Sequence, residues 1–140
     1  MNLRIFIVSF FLLISAIGVS QVKFVAEVSK NKLGMNERLR VDFEMNQDGD
    51  NFKAPSFIGF TVVGGPNQAV SNSWINGKRT YSKTYSYFLA PTSRGIFTIG
   101  QAEISIDGTT YKTSPVQVEV TAAVDQPTDG NNSDFVASEN

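Results

Sequence analysis

The sequence predicts an all-β fold, an antiparallel β-sandwich of seven to eight strands. Three observations carry this. Leu39, Val41, Phe43 and Met45 alternate with Arg38, Arg40, Asp42 and Glu44, the period-two pattern of a strand with one buried and one wet face. Asn76-Gly77 and Asp107-Gly108 each stand between apolar runs, and such pairs favour the tight turns of β-hairpins because both central residues of a type I′ turn need positive φ. Finally, no stretch shows a helical period of useful length. Short strands with turn signals at regular intervals over about 100 residues match a sandwich of the immunoglobulin or fibronectin type. The Cys-Trp-Cys hallmark of antibody domains is absent.

Taken in order, Val22, Phe24, Ala26 and Val28 alternate with Lys23, Val25 and Glu27 and predict the first strand. The run 39–45 follows. Residues 57–63 form a third apolar run, expected to end at Gly64-Gly65-Pro66. Residues 69–75 and 79–89 flank Asn76-Gly77, with Tyr85, Tyr87 and Leu89 on one inner face and Pro91 as the stop, since proline cannot donate to a ladder. Gly95 opens the next strand. There Phe97 and Ile99 have opposite parity to Ala102, Ile104 and Ile106, so an inserted residue, a bulge near Gly100-Gln101, is expected to restore the facing. Tyr111, Val116, Val118 and Val120 make the last strand, broken at Pro115.

The ends read differently. Arg4 precedes the apolar run 5–14 and the small, turn-like stretch 15–20, the arrangement of a cleavable export signal. Gly18 and Ser20 suit the cleavage positions, which makes Gln21 the expected mature N-terminus. The apolar run is too short for a spanning helix, which needs about 20 residues, and no other long apolar stretch occurs. No Cys follows that run, so no lipoprotein anchor is expected at this site. Residues 122–140 hold Asp125, Asp129, Asp134 and Glu139 with no Lys or Arg, and Pro127, Gly130, Asn131 and Asn132 give them linker composition. Within that stretch Phe135-Val136-Ala137 repeats Phe24-Val25-Ala26, as the start of a second, truncated domain would. The expected organisation is thus 1–20 signal peptide, 21–121 sandwich and 122–140 acidic linker.

Composition bounds the chemistry. The chain of 140 residues has no His and no Cys, which removes Ser-His-Asp and Cys-His nucleophiles, thiolate or imidazole metal sites and disulfides. An exported protein without disulfides must rely on core packing, and this fits a bacterial envelope better than a eukaryotic secretory route. Net charge is −1 overall; residues 22–121 carry 11 basic and 9 acidic groups, net +2, and the tail carries −4. No basic excess calls for a nucleic-acid partner.

The local clusters favour plain structural readings. Asp48-Gly49-Asp50-Asn51 is a compact acidic turn, but it lacks the spacing of a calcium loop. Asn131-Asn132-Ser133 matches a glycosylation acceptor, a pattern that means little in a bacterial envelope. Gly64-Gly65-Pro66 lacks the Lys and Ser/Thr of a phosphate-binding loop. Lys78, Arg79 and Lys83 stand among Trp74, Tyr81 and Tyr85 and could meet an anionic glycan or nucleic acid; equally, cations on an edge hairpin discourage unwanted strand pairing. No catalytic, cofactor-binding or metal-binding residue is expected, no cofactor is called for, and the chain reads as a non-enzyme.

The order of motifs carries a resemblance. Phe24-Val25-Ala26-Glu27-Val28-Ser29 is followed by Glu37-Arg38-Leu39, the run 57–63 and Gly64-Gly65-Pro66. Then come Tyr85-Ser86-Tyr87-Phe88-Leu89-Ala90-Pro91, Gly95-Ile96-Phe97-Thr98-Ile99-Gly100, Ala102-Glu103-Ile104 and Tyr111-Lys112-Thr113-Ser114-Pro115. Over residues 22–121 this set resembles the N-terminal region of the BatD family, the oxygen-tolerance or aerotolerance proteins of Bacteroidetes and related bacteria. The resemblance implies an exported, periplasmic protein with tandem immunoglobulin-like domains and an inner-membrane anchor near the C-terminus of full-length members. It also implies an envelope complex with von Willebrand factor A proteins and a MoxR-type ATPase, linked to stress or oxygen tolerance. No catalytic residues are known for the family, so none carries over. Because the family continues where this sequence stops, the chain is expected to be the first part of a longer product. The rival readings are an envelope carbohydrate-binding sandwich, with Trp74, Tyr81 and Tyr111 as candidate aromatics, and an adhesin-like subunit completed by a donor strand.

Overall fold

The alternation at 39–45 is realised without exception: Leu39, Val41, Phe43 and Met45 are fully buried. A computed structural model describes residues 21–125. The expected signal segment 1–20, the Asn131-Asn132-Ser133 acceptor pattern and the Phe135-Val136-Ala137 repeat lie outside the described residues.

The described chain forms ten strands and no helix: β1 (Phe24–Val28), β2 (Lys32–Gly34), β3 (Leu39–Met45), β4 (Asp50–Lys53), β5 (Phe60–Ile75), β6 (Lys78–Pro91), β7 (Gly95–Ile99), β8 (Glu103–Ile106), β9 (Thr109–Lys112) and β10 (Val116–Thr121). One layer has the order β1-β3-β6-β5 and is antiparallel throughout. The other layer consists of β2-β10-β7 and β4-β8-β9. The predicted all-β sandwich is therefore what forms, with ten strands in place of seven or eight. β2 and β4 are added and the last two long runs are each split, while the runs 57–63 and 69–75 merge into β5. One pairing, β2 with β10, is parallel.

The core lies between the layers. Tyr85, Tyr87 and Leu89 of β6 face β3 residues of the same parity, with Phe43 opposite Tyr85 and Leu39 opposite Leu89. They meet Ile99, Ile104, Val118 and Val120 from the second layer. Burying each such side chain contributes about 1.5–3 kcal/mol. Phe52 of β4 stacks on Tyr85 with ring centroids 4.1 Å apart and planes 5° from parallel, which closes the core at one end.

Two expectations fail. The run 57–63 does not end at Gly64-Gly65-Pro66; β5 continues through it for 16 residues. The irregular residues are absorbed as register shifts between Val62 and Gly64 and between Gly64 and Asn67, and the Gly65–Pro66 bond is cis. Gly65 has φ +93°, and a Cβ there would collide with the Ser86 carbonyl oxygen, so only glycine lets the strand pass its neighbour so closely. The bulge at Gly100-Gln101 is also absent. Ile99 pairs with Val116 and Glu103 with Lys112, so the three residues 100–102 are matched by the three residues 113–115 and none is inserted. Instead both strands change facing together. The Thr113 amide donates to the Ala102 carbonyl at 3.0 Å, and the Ala102 amide donates to the buried Thr113 Oγ1 at 2.9 Å. This reciprocal link satisfies the backbone at the break, next to the proline that cannot donate.

Both predicted turns form. Asn76 and Gly77 have φ of +50° and +77°, and Asp107 and Gly108 have +49° and +77°, the left-handed pairs of type I′ turns.

Candidate interaction surface

Strand direction sorts the molecule into two poles. β3 pairs Leu39 with Leu89 at one end and Met45 with Lys83 at the other. The Met45 end is the upper pole. Asn46 clamps the N-terminal segment there: its Oδ1 accepts from the Lys23 amide at 2.8 Å and its Nδ2 donates to the Gln21 carbonyl at 2.9 Å. At the lower pole Asn36 makes the matching clamp on the outgoing chain, with Nδ2 donating to the Val124 carbonyl at 2.8 Å and Oδ1 accepting from the Val124 amide at 3.0 Å. Beside it Glu37 accepts from Lys30 Nζ at 2.8 Å and from the Gly34 amide at 2.9 Å. The Lys30 hydrogen bond first, then that of the Gly34 amide, holds the Glu37 carboxyl below its ordinary pKa.

The β5–β6 hairpin outgrows the body. Past the Met45–Lys83 pair, β6 has no partner but β5. Residues 71–82 therefore project from the upper pole as a two-stranded ribbon, about 17 Å long at ~3.3 Å per residue. Trp74 lies opposite Arg79, Asn72 opposite Tyr81 and Val70 opposite Lys83. Directly opposed residues share a face, and this face continues that of Tyr85. It is thus the core-side face of the sheet, carried beyond the end of the core. Its apolar members stay in solvent, with Trp74 71% and Val70 59% exposed. Arg79 Nε donates to Asn72 Oδ1 at 3.0 Å, and its guanidinium lies 5.7 Å from the Tyr81 ring centroid, so the cation is held within the ribbon itself.

Below the ribbon lies an open cleft of about 410 Å³ lined by Asn46, Asp48, Arg79, Tyr81, Ile106 and Asp107. Lys83 Nζ reaches Asp48 Oδ1 at 3.4 Å. The Lys83 ammonium is held above its ordinary pKa, first by the Tyr85 hydroxyl and further by Asp48. Partial burial, then the Asp48 charge, pushes the Tyr81 phenol up.

The clusters singled out from sequence separate as follows. Of the basic–aromatic group, Trp74, Arg79, Tyr81, Lys83 and Tyr85 share one face, while Lys78, opposite Ile75, takes the other. Tyr85 belongs to the core. Tyr111 sits on β9 opposite Ile104 and packs against the core, so it makes no row with Trp74 and Tyr81. In the acidic turn, Asp48 pairs with Lys83 and Asp50 enters β4 opposite Ser105. A Cβ at Gly49 would strike Ile104 and Ile106, so that turn is pressed onto the body. Among the described residues no group of three or more metal-ligating side chains occurs.

The sequence places Lys78, Arg79 and Lys83 on an edge hairpin, but the length of its uncharged free strand was not read from it. β5 ends its sheet, and residues 54–77 contain no charged side chain. The signal was available as a gap in the charge pattern, but it gains meaning only once β5 is known to lie at an edge.

Together these features define an immunoglobulin-like β-sandwich domain with a projecting edge hairpin. The family profile described as the BatD DUF11 like domain matches residues 26–120. The chain belongs to the BatD family. No curated protein and no solved structure matches it.

Proposed function

We propose that this domain is a non-enzymatic interaction module of the cell envelope. It is exported by the signal at residues 1–20 and takes its place in a complex with von Willebrand factor A-domain membrane proteins and a MoxR-type ATPase that supports oxygen or stress tolerance. The observation that carries this reading is the family match over residues 26–120; the projecting ribbon gives such a module a surface to offer. The test is co-purification of the tagged, full-length gene product from detergent-solubilised envelopes of a bacterium that encodes it. Co-elution with the von Willebrand factor A proteins is the expected result. Recovery from the cytoplasm, or from the envelope without those proteins, would overturn the reading. A second reading, glycan binding, draws on the cleft of about 410 Å³ beneath the ribbon, with Asp48, Asp107 and Arg79 as hydrogen-bonding groups and Tyr81 as an aromatic wall. Saturable quenching of Trp74 fluorescence by glycans would favour it over the scaffold.

A further inference from the structure

Natural sheets protect their edges with short strands, charges, prolines and bulges, because an open edge is a template for another strand. Among the described residues this molecule follows that rule at every edge but one. β1, β2, β4, β7 and β9 have five residues or fewer, and all but β7 carry a charge: Glu27, Lys32, Asp50 with Lys53, and Lys112. β5 has 16 residues and no charge. Its two irregularities and Pro66 all lie before Asn67. From Asn67 opposite Ser86 to Ile75 opposite Lys78 the pairing runs unbroken, so nine consecutive residues present a regular open edge, with Val70, Trp74 and Ile75 exposed. The ribbon behind that edge, residues 67–84, holds Lys78, Arg79 and Lys83 and no carboxylate. A second copy of the chain would bring three more cations alongside; an acidic strand would meet Arg79 and share Lys83 with Asp48.

We propose that the free edge of β5 over residues 67–75 accepts an extended segment of a partner protein, one that alternates apolar with acidic residues, as an added strand of the β1-β3-β6-β5 sheet. Main-chain hydrogen bonds supply the affinity and alternate side chains the selectivity. The carboxylates of the added strand lie on the face of Val70 and Trp74, toward Arg79 and Lys83, and its apolar side chains lie on the other face beside Ala69 and Ile75. This deepens the interaction-module reading and rests on it.

The experiment uses the mature chain and an octapeptide alternating valine with glutamate. Saturable binding is expected with Kd of about 10–100 μM, together with slowed amide exchange confined to residues 67–75. N-methylation of alternate peptide residues, or lysine in place of glutamate, should weaken binding at least about tenfold. Val70→Glu should do the same, while Val70→Thr stays within about threefold. The peptide variants keep the test valid even if Val70→Glu fails to fold. No saturation by about 1 mM, or binding indifferent to N-methylation, would overturn strand addition. Equal binding of the lysine peptide would overturn the acidic partner, and a dimer in sedimentation that masks the same amides would make a second copy the occupant instead. Co-purification without peptide binding removes this inference and leaves the interaction-module reading intact; peptide binding without co-purification does the reverse.

Discussion

Replacing Phe43 with alanine tests the account of the core. The Phe43 ring is fully buried, and its centroid lies 5.7 Å from Phe52, 6.4 Å from Phe57 and 6.0 Å from Tyr87. Truncating a buried Phe costs about 3–5 kcal/mol, and aromatic pairs add roughly 0.5–1.5 kcal/mol beyond buried area. With three rings deprived of a neighbour, the loss should lie near the top of that range, about 4–5 kcal/mol. A domain of this size has about 5–15 kcal/mol in all and loses some 4–8 °C of Tm per kcal/mol, so a fall of about 20 °C or more is expected. Urea and thermal unfolding followed by circular dichroism would measure it. Trp74→Ala is the matched control: its ring stands in solvent on the ribbon, so the change should stay within about 0.5 kcal/mol. A loss below about 1.5 kcal/mol for Phe43→Ala would refute the packing argument, and equal losses for the two variants would refute the division between core and ribbon.

Three other substitutions probe single devices. Gly65→Ala places a Cβ on the Ser86 carbonyl at a φ of +93°; a cost of at least about 1–3 kcal/mol is expected in urea unfolding. Thr113→Val removes the acceptor of the buried Ala102 amide and should cost about 1–3 kcal/mol, with faster exchange of that amide. Glu37→Gln concerns pH. The Glu37 pKa is depressed on folding by Lys30 and the Gly34 amide, so its ionisation stabilises the fold fully above the ordinary value of 4.5 and loses that effect as pH falls through the lower, folded value. Melts should therefore show Glu37→Gln less stable than the native chain at pH 7, and the gap should close in acid.

Much of the fold was legible because its pattern is local. The alternation of 39–45 and 85–89 reports burial directly, and Asn76-Gly77 and Asp107-Gly108 report backbone conformations that few other pairs adopt. What escaped depends on distant partners. β2 has three residues, too few to show a period, and exists only because β10 lies beside it. β4 has one apolar residue, Phe52, whose role is fixed by Tyr85 across the core. The parity change near Gly100 was visible, but its cause was not: one strand alone cannot tell an inserted residue from two strands turning together. In the same way the basic and aromatic residues of 74–85 were seen as a group, but the open edge beside them follows from sheet order, which single-strand patterns do not encode.

The two asparagine clamps fix Gln21 with Lys23 and Val124 at opposite poles, with a mechanical consequence. Tension between residues 21 and 125 first draws β1 along β3, to which five residues pair it, and then draws β2 toward the upper pole and β10 toward the lower. β2 and β10 run parallel and are matched at Lys32 with Glu119, Leu33 with Val120 and Gly34 with Thr121. The pull therefore lies along the strands, across the hydrogen bonds between them, and loads those bonds together in shear instead of peeling them one by one. A domain wired this way resists being stretched end to end more than its modest size suggests, while the ribbon stands outside the line of force and keeps its shape under load.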